Sequence, residues 1–326
     1  MILAGDIGGT HARLAYFQSQ NGDLKLFSEA VFPSREHRGL DEIVTKFVEL
    51  QGIPPDTACF GVAGPVQNGR VETSNLPWII EASRLATELH IQCALLINDL
   101  EANAWGIQGL TENDFVTLNQ IKGSASGNQA VIAAGTGLGE AGLYWDGTKY
   151  HVFACEGGHC DFAPRNELEI ELLRYLLARF GHVSYERIVS GPGLANVFYF
   201  LRDTGRGEEP RWLTEEIVLG DPGPAISRAA LSGKCALAEQ ALDLWISIYG
   251  AEAGNLALKL KATGGVFLGG GIAPRILPKL AGPVFMQSFL NKGRMQALLE
   301  TIPVKVITNE KAALLGAARC AVKAGC

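Results

Sequence analysis

The sequence predicts an α/β fold built from two related halves, on the basis of its element pattern, a repeated motif and its composition. Short apolar runs alternate with amphipathic stretches, and one strand–glycine turn–strand pattern occurs twice, about 128 residues apart. The 326 residues are 47% hydrophobic and 19% charged, as in a globular protein. At roughly 100–200 residues per domain, this length indicates two domains.

The first half of the chain opens with strands. Apolar runs at 2–4, 12–17 and 24–27 are separated by Gly8-Gly9 and by Asn21-Gly22, a hairpin dipeptide, so we predict an antiparallel β-meander. Continuous apolar runs predict buried strands, and apolar residues at helical spacing predict helices. The elements that follow are a helix over 40–50, strands at 58–63 and 94–97, and a helix-prone stretch at 101–105.

The same pattern returns after a polar stretch at 119–129. A strand at 130–134 leads into Gly135-Thr136-Gly137, and a second apolar run at 143–145 meets the hairpin dipeptide Asp146-Gly147. The shift in composition near 110–125 predicts a domain boundary there. The elements that follow are helices over 166–180 and 236–260, a strand at 266–268 before Gly269-Gly270-Gly271, and a helix over 310–325.

Charge and hydropathy exclude several classes of protein. With 28 Lys+Arg against 34 Asp+Glu the net charge is −6, which argues against a nucleic-acid groove. The first residues lack a basic region and include Asp6, so we predict no signal peptide. Uncharged runs are broken by Gly, Ser and Asn, so we predict no membrane span. We therefore expect a cytoplasmic protein that binds neither nucleic acid nor membrane.

The two glycine turns are suited to phosphate. Asp6-Ile7-Gly8-Gly9-Thr10 and Gly135-Thr136-Gly137 each place backbone N–H groups at a tight turn, where they can point at one anion. Glycine lets a phosphate approach the backbone, and the Thr hydroxyl is a further donor. Ordinary hairpin turns are the alternative. The matching Thr residues and the third glycine cluster at 269–271 favour phosphate binding.

Two rival phosphate motifs are disfavoured. The chain contains no G-x-x-x-x-G-K-[ST] sequence, so it has no P-loop. Gly137, Gly139 and Gly142 form a G-x-G-x-x-G sequence, with Glu156 near the spacing of a ribose-binding acid. That motif binds a dinucleotide only where a helix follows the turn, and 141–145 predicts a strand.

Polar residues at three turns are the candidates for substrate binding and catalysis. Asn98-Asp99 ends a buried strand, where a carboxylate can take the proton of a substrate hydroxyl; capping of the next helix is the alternative. Glu156-Gly157-Gly158-His159 can aim an acid and an imidazole at one polar ligand, and Glu186 precedes a further turn. A buried histidine, a solvated acid and a weak zinc site are the alternatives there. Together these groups suit a sugar and indicate phosphoryl transfer to a hydroxyl.

The order and spacing of these motifs resemble the bacterial hexokinase-type glucokinases of the actin-like ATPase superfamily. The resemblance covers essentially the whole chain. It implies a two-domain actin-like ATPase (ribonuclease H-like) fold with a cleft between the domains, a small domain of 1–110 plus 301–326 and a large domain of 111–300. The segments that carry it are Asp6–Thr10, Ile97–Asp99, Ala134–Gly139, Glu156–Pro164, Glu186–Gly193 and Gly269–Ile272.

The resemblance also implies a reaction and a role for each site residue. ATP and Mg²⁺ would phosphorylate D-glucose on its 6-hydroxyl, the entry step of glycolysis, in a homodimeric enzyme. Asp99 would be the general base, and Asp6 would hold Mg²⁺ through water. The sugar ligands would be Asn98, Asp99, Glu156, His159 and Glu186. The nucleotide-binding residues would be Asp6, Gly8, Gly9, Thr10, Gly135, Thr136, Gly137, Gly269, Gly270 and Gly271.

The sequence departs from related families at a few positions. Cys155 and Cys160 flank the Glu156–His159 segment without the Cys-rich run of the related repressor/kinase family, so we predict no structural zinc. His11 stands where the glucokinases commonly have Asn. Two alternatives remain open: a kinase for mannose, fructose or an N-acetylated amino sugar, and a nucleotide switch that transfers nothing. Asp99 favours the enzyme, because a switch needs no base beside a hydroxyl.

Overall fold

A computed structural model describes residues 1–20, 23–73, 76–121 and 125–324. The chain forms two compact units, the first made of Met1–Asp114, Val152–Ala154 and Asn309–Cys326, and the second of Phe115–His151 and Cys155–Thr308. The strands are β1 (Ile2–Ile7), β2 (His11–Gln20), β3 (Asp23–Pro33), β4 (Thr57–Val62), β5 (Arg70–Glu72), β6 (Ile79–Glu81), β7 (Ala94–Asn98), β8 (Phe115–Thr117), β9 (Gln129–Ala134), β10 (Leu138–Trp145), β11 (Tyr150–Cys155), β12 (Gly265–Gly269) and β13 (Val304–Ile307). The α-helices are α1 (Leu40–Gln51), α2 (Ala82–Leu89), α3 (Asp99–Ile107), α4 (Glu167–Phe180), α5 (Gly191–Asp203), α6 (Arg211–Leu219), α7 (Pro222–Leu231), α8 (Ala236–Leu260), α9 (Leu277–Leu280), α10 (Pro283–Leu290), α11 (Gln296–Leu299) and α12 (Ala312–Ala324).

The first unit contains a five-stranded mixed sheet in the order β3-β2-β1-β4-β7. The first three strands form the antiparallel meander that the sequence predicts, and β4 and β7 add in parallel to β1. The Asn21-Gly22 dipeptide predicted to turn the hairpin lies outside the described residues. One face of the sheet packs on α1 and α2, and the other on α3 and α12.

Glycines let α12 and α3 approach each other closely in this unit. A Cβ atom added at Gly316 would stand 1.8 Å from the Ala102 carbonyl oxygen, and one at Gly106 would stand 2.1 Å from the Ala312 carbonyl oxygen. Backbones this close exclude any side chain at the two crossing points. The contact therefore fixes α3, the helix that begins at Asp99.

The second unit contains a six-stranded sheet in the order β11-β10-β9-β12-β13-β8. Its first five strands repeat the order of the first unit's sheet, a hairpin beside parallel strands, so the two sheets share one plan as the sequence predicts. The 25-residue helix α8 is buried on most of its surface, including Trp245 and Tyr249, which agrees with its apolar composition on all sides.

The predicted helices and strands are found, with ends shifted by a few residues. Elements that the sequence did not predict are strands β5, β6, β8 and β13, helix α2, the three helices α5–α7 and the short helices of the second unit. Among the described residues, none of the helices combines the length and the apolar character that crossing a bilayer requires.

Candidate active site

The first glycine turn joins β1 to β2 in the first unit. The Gly8 amide donates to the His11 carbonyl oxygen at 2.9 Å, which closes the turn. Ser34, fully buried after β3, fixes it from behind: its hydroxyl donates to the Gly8 carbonyl oxygen at 2.8 Å, and its amide donates to the Thr10 carbonyl oxygen at 2.9 Å. Gly8 and Gly9 are half-buried, and Thr10 is exposed. Ser34 thus holds the Gly8 and Thr10 carbonyl groups, and the Gly8 amide is bonded within the turn.

Asp6 lies one residue before the end of β1 and is half-buried. Burial raises the pKa of its carboxyl, and the charge of the Arg13 guanidinium partly offsets that rise. Arg13 itself donates to the Glu310 carbonyl oxygen at 3.1 Å. The Asp6 carboxyl is therefore poorly solvated, and a bound cation would favour its ionised form.

Asn98 and Asp99 join β7 to α3 at the same edge of the sheet as this turn. The parallel register aligns Ile7 with Val62 and Val62 with Asn98, so the ends of β1, β4 and β7 lie abreast. At about 4.8 Å between neighbouring strands, Asn98 lies about 10 Å from the end of β1. The first unit thus brings the predicted phosphate turn and the predicted base to one edge.

The N-cap residue of α3 is Asn98 and not Asp99, for which capping was the alternative role. The Asn98 side-chain oxygen accepts from the Leu100 amide at 2.8 Å, and its amide group donates to the Gly64 carbonyl oxygen at 3.2 Å. Asp99 is the first residue of α3, and one of its carboxyl oxygens also accepts from the Leu100 amide, at 2.9 Å. Asn98 is held by two bonds, and each carboxyl or amide keeps capacity for a ligand.

The second glycine turn joins β9 to β10 in the second unit. Its closing bond runs from the Gly135 amide to the Gly137 carbonyl oxygen, at 2.9 Å. Glu186 lies against this turn: its carboxylate accepts from the Leu138 amide at 3.0 Å, and a Cβ atom at Gly137 would stand 2.4 Å from the same oxygen. Thr136 is exposed at the tip. Glycine at position 137 therefore makes room for Glu186.

The third glycine cluster lies beside the second turn. Since β9 and β12 are parallel, with Gly269 opposite Ala133, both strands end at the same edge. Gly270 has a φ of 79°, and a Cβ atom there would stand 2.3 Å from the Ala134 carbonyl oxygen. Exposed Gly271 follows. The second unit thus brings two of the predicted nucleotide turns together.

The Glu156–His159 segment packs onto the start of β10. Residues Gly157–His159 form a single 3-10 turn, and a Cβ atom at Gly158 would stand 1.9 Å from the Leu138 carbonyl oxygen. The Tyr185 amide donates to the Cys160 carbonyl oxygen at 3.1 Å, which ties this segment to the one that carries Glu186. Glu156 and His159 are exposed. Three of the predicted sugar ligands are therefore gathered in the second unit.

Two residues that the sequence does not mark as functional support these turns. Ser34 is one, and it has no local signal because its partner Gly8 is 26 residues away. Ser190 is the other: its hydroxyl caps α5 by accepting from the Gly193 amide at 3.0 Å and donates to the Glu186 carbonyl oxygen at 2.7 Å. The Ser-Gly-Pro sequence there is typical of a helix start.

The structure also decides between the motifs that the sequence contains. Gly137–Gly142 runs into strand β10 and not into a helix, so the dinucleotide interpretation stays disfavoured. Within 1–20, 23–73, 76–121 and 125–324, no three or more His, Cys, Asp or Glu side chains are grouped so as to hold a metal ion.

Comparison with known proteins identifies the family. A family model described as Glucokinase matches residues 3–324. The chain belongs to the glucokinase family. A glucokinase from a Nostoc species is 44% identical, over 99% of both chains. The crystal structure of a glucokinase from an Antarctic psychrotroph, 31% identical, superposes with a TM-score of 0.85 over 99% of this chain and 98% of that one. A Balamuthia mandrillaris glucokinase crystallised with glucose, 23% identical, has the same fold, with a TM-score of 0.78 over 98% and 93%.

Membership of the glucokinase family confirms the resemblance drawn from the motifs. It also confirms, at the level of the family, the interpretation as an ATP-dependent hexose kinase. The α/β fold with mixed sheets is the fold of the glucokinase family. The roles of individual residues stay predictions.

Proposed function

We propose that this protein transfers the γ-phosphoryl group of ATP to the 6-hydroxyl of D-glucose, giving glucose 6-phosphate and ADP. The observation that carries the proposal is the register of the first unit, which places the Asp6–Thr10 turn and Asp99 at one sheet edge. Phosphoryl transfer needs a phosphate site and a base for the attacking hydroxyl close together. Membership of the glucokinase family supports glucose as the acceptor.

Asp99 is the proposed general base. The oxygen of the 6-hydroxyl forms a bond to the γ-phosphorus, the bond from that phosphorus to the β-phosphate oxygen breaks, and the hydroxyl proton passes to the Asp99 carboxylate. A positioned base of this kind contributes about 10²–10⁴-fold. Asp99 is the first residue of α3, and its carboxyl and the Asn98 side chain both accept from the Leu100 amide. These bonds hold the Asp99 carboxyl in place and support this role.

The proposed sugar ligands are Asn98 in the first unit and Glu156, His159 and Glu186 in the second. Carboxylates accept hydrogen bonds from sugar hydroxyls, whereas amide and imidazole groups both donate and accept. Glu156 and His159 are exposed, whereas Glu186 is half-buried with one carboxylate oxygen accepting from the Leu138 amide.

The glycine turns are the proposed nucleotide site, with Gly8, Gly9, Thr10, Gly135, Thr136 and Gly137 at the phosphates and Gly269, Gly270 and Gly271 at the adenosine. Asp6 is the proposed partner of Mg²⁺ through water. A phosphate-bound Mg²⁺ keeps several waters and needs only one or two carboxylates, so the single poorly solvated Asp6 carboxyl beside the turn fits it. The bound ion would neutralise charge on the phosphate oxygens.

The resemblance implies three further properties, which we propose here. The architecture is that of the actin-like ATPases, in which one sugar is held by groups from both domains in a cleft. The domains are the small domain of 1–110 plus 301–326 and the large domain of 111–300 that the resemblance implies. The enzyme is a homodimer and works in the cytoplasm.

The experiment is ADP formation from Mg-ATP with a panel of hexoses. We expect turnover that depends on glucose, with mannose, fructose and N-acetylated amino sugars as poorer acceptors. Faster turnover of another hexose would keep the reaction and change the substrate. ATP binding without sugar-dependent ADP formation would contradict the proposal.

A further inference from the structure

Two carboxyl groups are buried side by side in the second unit. Glu140 on β10 is 1% exposed and Glu252 on α8 is fully buried. The Glu252 carboxylate accepts from the Asn255 side-chain amide at 2.8 Å and from the Lys259 ammonium at 3.2 Å, so each of its oxygens has a donor. Among the described residues, by contrast, the buried Oε1 atom of Glu140 has no hydrogen-bond partner. Glu140 is therefore the unsatisfied member of the pair.

Glu140 lies directly beneath the segment that carries Glu156 and His159. A Cβ atom at Gly157 would stand 1.8 Å from Oε2 of Glu140 and 2.7 Å from its carboxyl carbon. Only a residue without a side chain can lie on the carboxyl in this way. The position of Gly157, and with it the direction of the Glu156 and His159 side chains, therefore depends on where the Glu140 carboxyl lies.

Glu252 connects the same pair to the segment that carries Glu186. The Asn255 amide that donates to Glu252 also donates to the Tyr185 hydroxyl, at 3.1 Å. Tyr185 directly precedes Glu186. The two buried carboxyls thus lie under both segments that hold the proposed sugar ligands of the second unit.

The charges around Glu140 favour its neutral form. Burial raises the pKa of Glu140 to about 8, the negative charge of Glu252 adds to the rise, and the positive charge of Lys259 opposes it. Tyr249 of α8 and Cys155 of β11 also face it: burial raises the pKa of each, and the Glu140 charge adds to that rise. One ammonium therefore serves two carboxyls, and it already binds Glu252.

We propose that Glu140 is a positioning residue, whose neutral carboxyl holds the Glu156–His159 segment in its sugar-binding position, and that ionising this carboxyl weakens sugar binding without changing the chemical step. The inference rests on the proposed function, because it takes Glu156 and His159 as sugar ligands. An ionised Glu140 would be a second buried negative charge, and such a charge requires water or a new donor. Displacement of Gly157 is the direct way to admit either, because no side chain separates it from the carboxyl.

The expected effect follows from the fraction of enzyme that holds a neutral Glu140. If only that form binds sugar well, the apparent KM for glucose is inversely proportional to this fraction. With half-ionisation near pH 8, the KM for glucose should rise about tenfold between pH 7 and pH 9. The KM for ATP and kcat should not follow this curve, because Glu140 lies under the sugar segment.

The test measures kcat and both KM values from pH 6.5 to 9.5 in the wild type and in Glu140→Gln. Glutamine has the shape of a neutral carboxyl and does not titrate, so we expect a low glucose KM that stays flat up to pH 9. Glu215→Gln, at an exposed position on α6, is the matched control and should keep the rise.

Two neighbouring groups also titrate at alkaline pH and need their own variants. Cys155 faces Glu140, and burial lowers the pKa of Lys292 to about 8, beside Asn255. Cys155→Ser and Lys292→Gln should both retain the tenfold rise. The assignment of the pH dependence to Glu140 would be overturned if either variant lost the rise in the glucose KM while Glu140→Gln kept the profile of the wild type.

Calorimetry of glucose binding gives a second readout that needs no variant. At pH 9 binding should take up close to one proton, seen as a heat that depends on the ionisation enthalpy of the buffer, and at pH 6.5 it should take up none. A flat KM profile or no proton uptake in an enzyme that phosphorylates glucose would refute the inference alone. Absence of glucose-dependent turnover at pH 7 would instead refute the proposed function, and the inference with it.

Discussion

Replacing Gly158 by alanine should displace the sugar-binding segment by a distance that the structure defines. The added Cβ atom would stand 1.9 Å from the Leu138 carbonyl oxygen and 2.8 Å from its carbonyl carbon, against about 3.5 Å for an unstrained contact. Leu138 cannot yield, because β10 pairs with β9 at Leu138 and Ala134. The segment must therefore retreat by about 1.6 Å.

Such a retreat would misplace Glu156 and His159. Because a misplacement of about 1 Å can lower a rate about 10²-fold, we expect kcat/KM for glucose to fall by about that factor, with the KM for ATP within about threefold of wild type. Overpacking costs about 1–3 kcal/mol of stability, which lowers Tm by several degrees and leaves the protein folded at 25 °C.

The assay for Gly158→Ala is coupled ADP formation, with glucose and ATP varied in turn and Tm measured in parallel. Gly220→Ala is the control, since its nearest neighbour is the Glu216 carbonyl oxygen at 3.4 Å and its φ is −144°. It should match the wild type. A folded Gly158→Ala enzyme with an unchanged KM for glucose would contradict the predicted displacement of the segment, as would equal losses for glucose and ATP.

Three further substitutions test other parts of the site. Glu156→Gln should raise the KM for glucose more than the KM for ATP, and an unchanged glucose affinity by calorimetry would count against Glu156 as a ligand. Ser34→Ala leaves the Gly8 carbonyl group without its donor at a cost of about 1–2 kcal/mol, so the KM for ATP should rise about 5–30-fold while glucose affinity stays constant. The raised pKa of Glu140, about 8 against 4.5 unfolded, gives stability that is full below about pH 4.5 and is lost as the pH rises through about 8. In urea unfolding, Glu140→Gln should thus exceed the wild type by about 3–5 kcal/mol at pH 9 and by at most about 1 kcal/mol at pH 5, and equal curves at both pH values would contradict this.

Most of the fold could be predicted from the sequence where a pattern is local. The strand that ends at Asn98, the glycine turns and the long helix α8 all follow from apolar runs and their spacing. Helix α5 was missed because Ser190-Gly191-Pro192-Gly193 has the composition of a turn. A serine N-cap followed by proline in the first turn is also typical of a helix start. The sequence alone does not distinguish a turn from a helix start here, because the difference depends on how the following residues pack.

The site is less predictable because its contacts are long-range. Asp99 can be recognised because it follows a predicted strand, and Glu156 because it precedes two glycines. Ser34 has no such signal, since it follows a different strand from the one that leads into Gly8, to whose carbonyl oxygen it donates. Glu140 lies in a strand whose neighbouring residues are largely buried, and nothing local distinguishes its buried carboxyl from an exposed one. The chemistry of such residues depends on their burial and on their tertiary neighbours. Both depend on the order of strands in the sheet, which the sequence does not give.

The most direct test of the account compares the wild type with Asp99→Asn in glucose-dependent ADP formation from Mg-ATP, alongside calorimetry of glucose binding. We predict that kcat falls about 10²–10⁴-fold while glucose binding is largely retained, because the substitution removes the base and keeps the shape of the side chain. A kcat near that of the wild type would contradict the assignment of Asp99 as the general base.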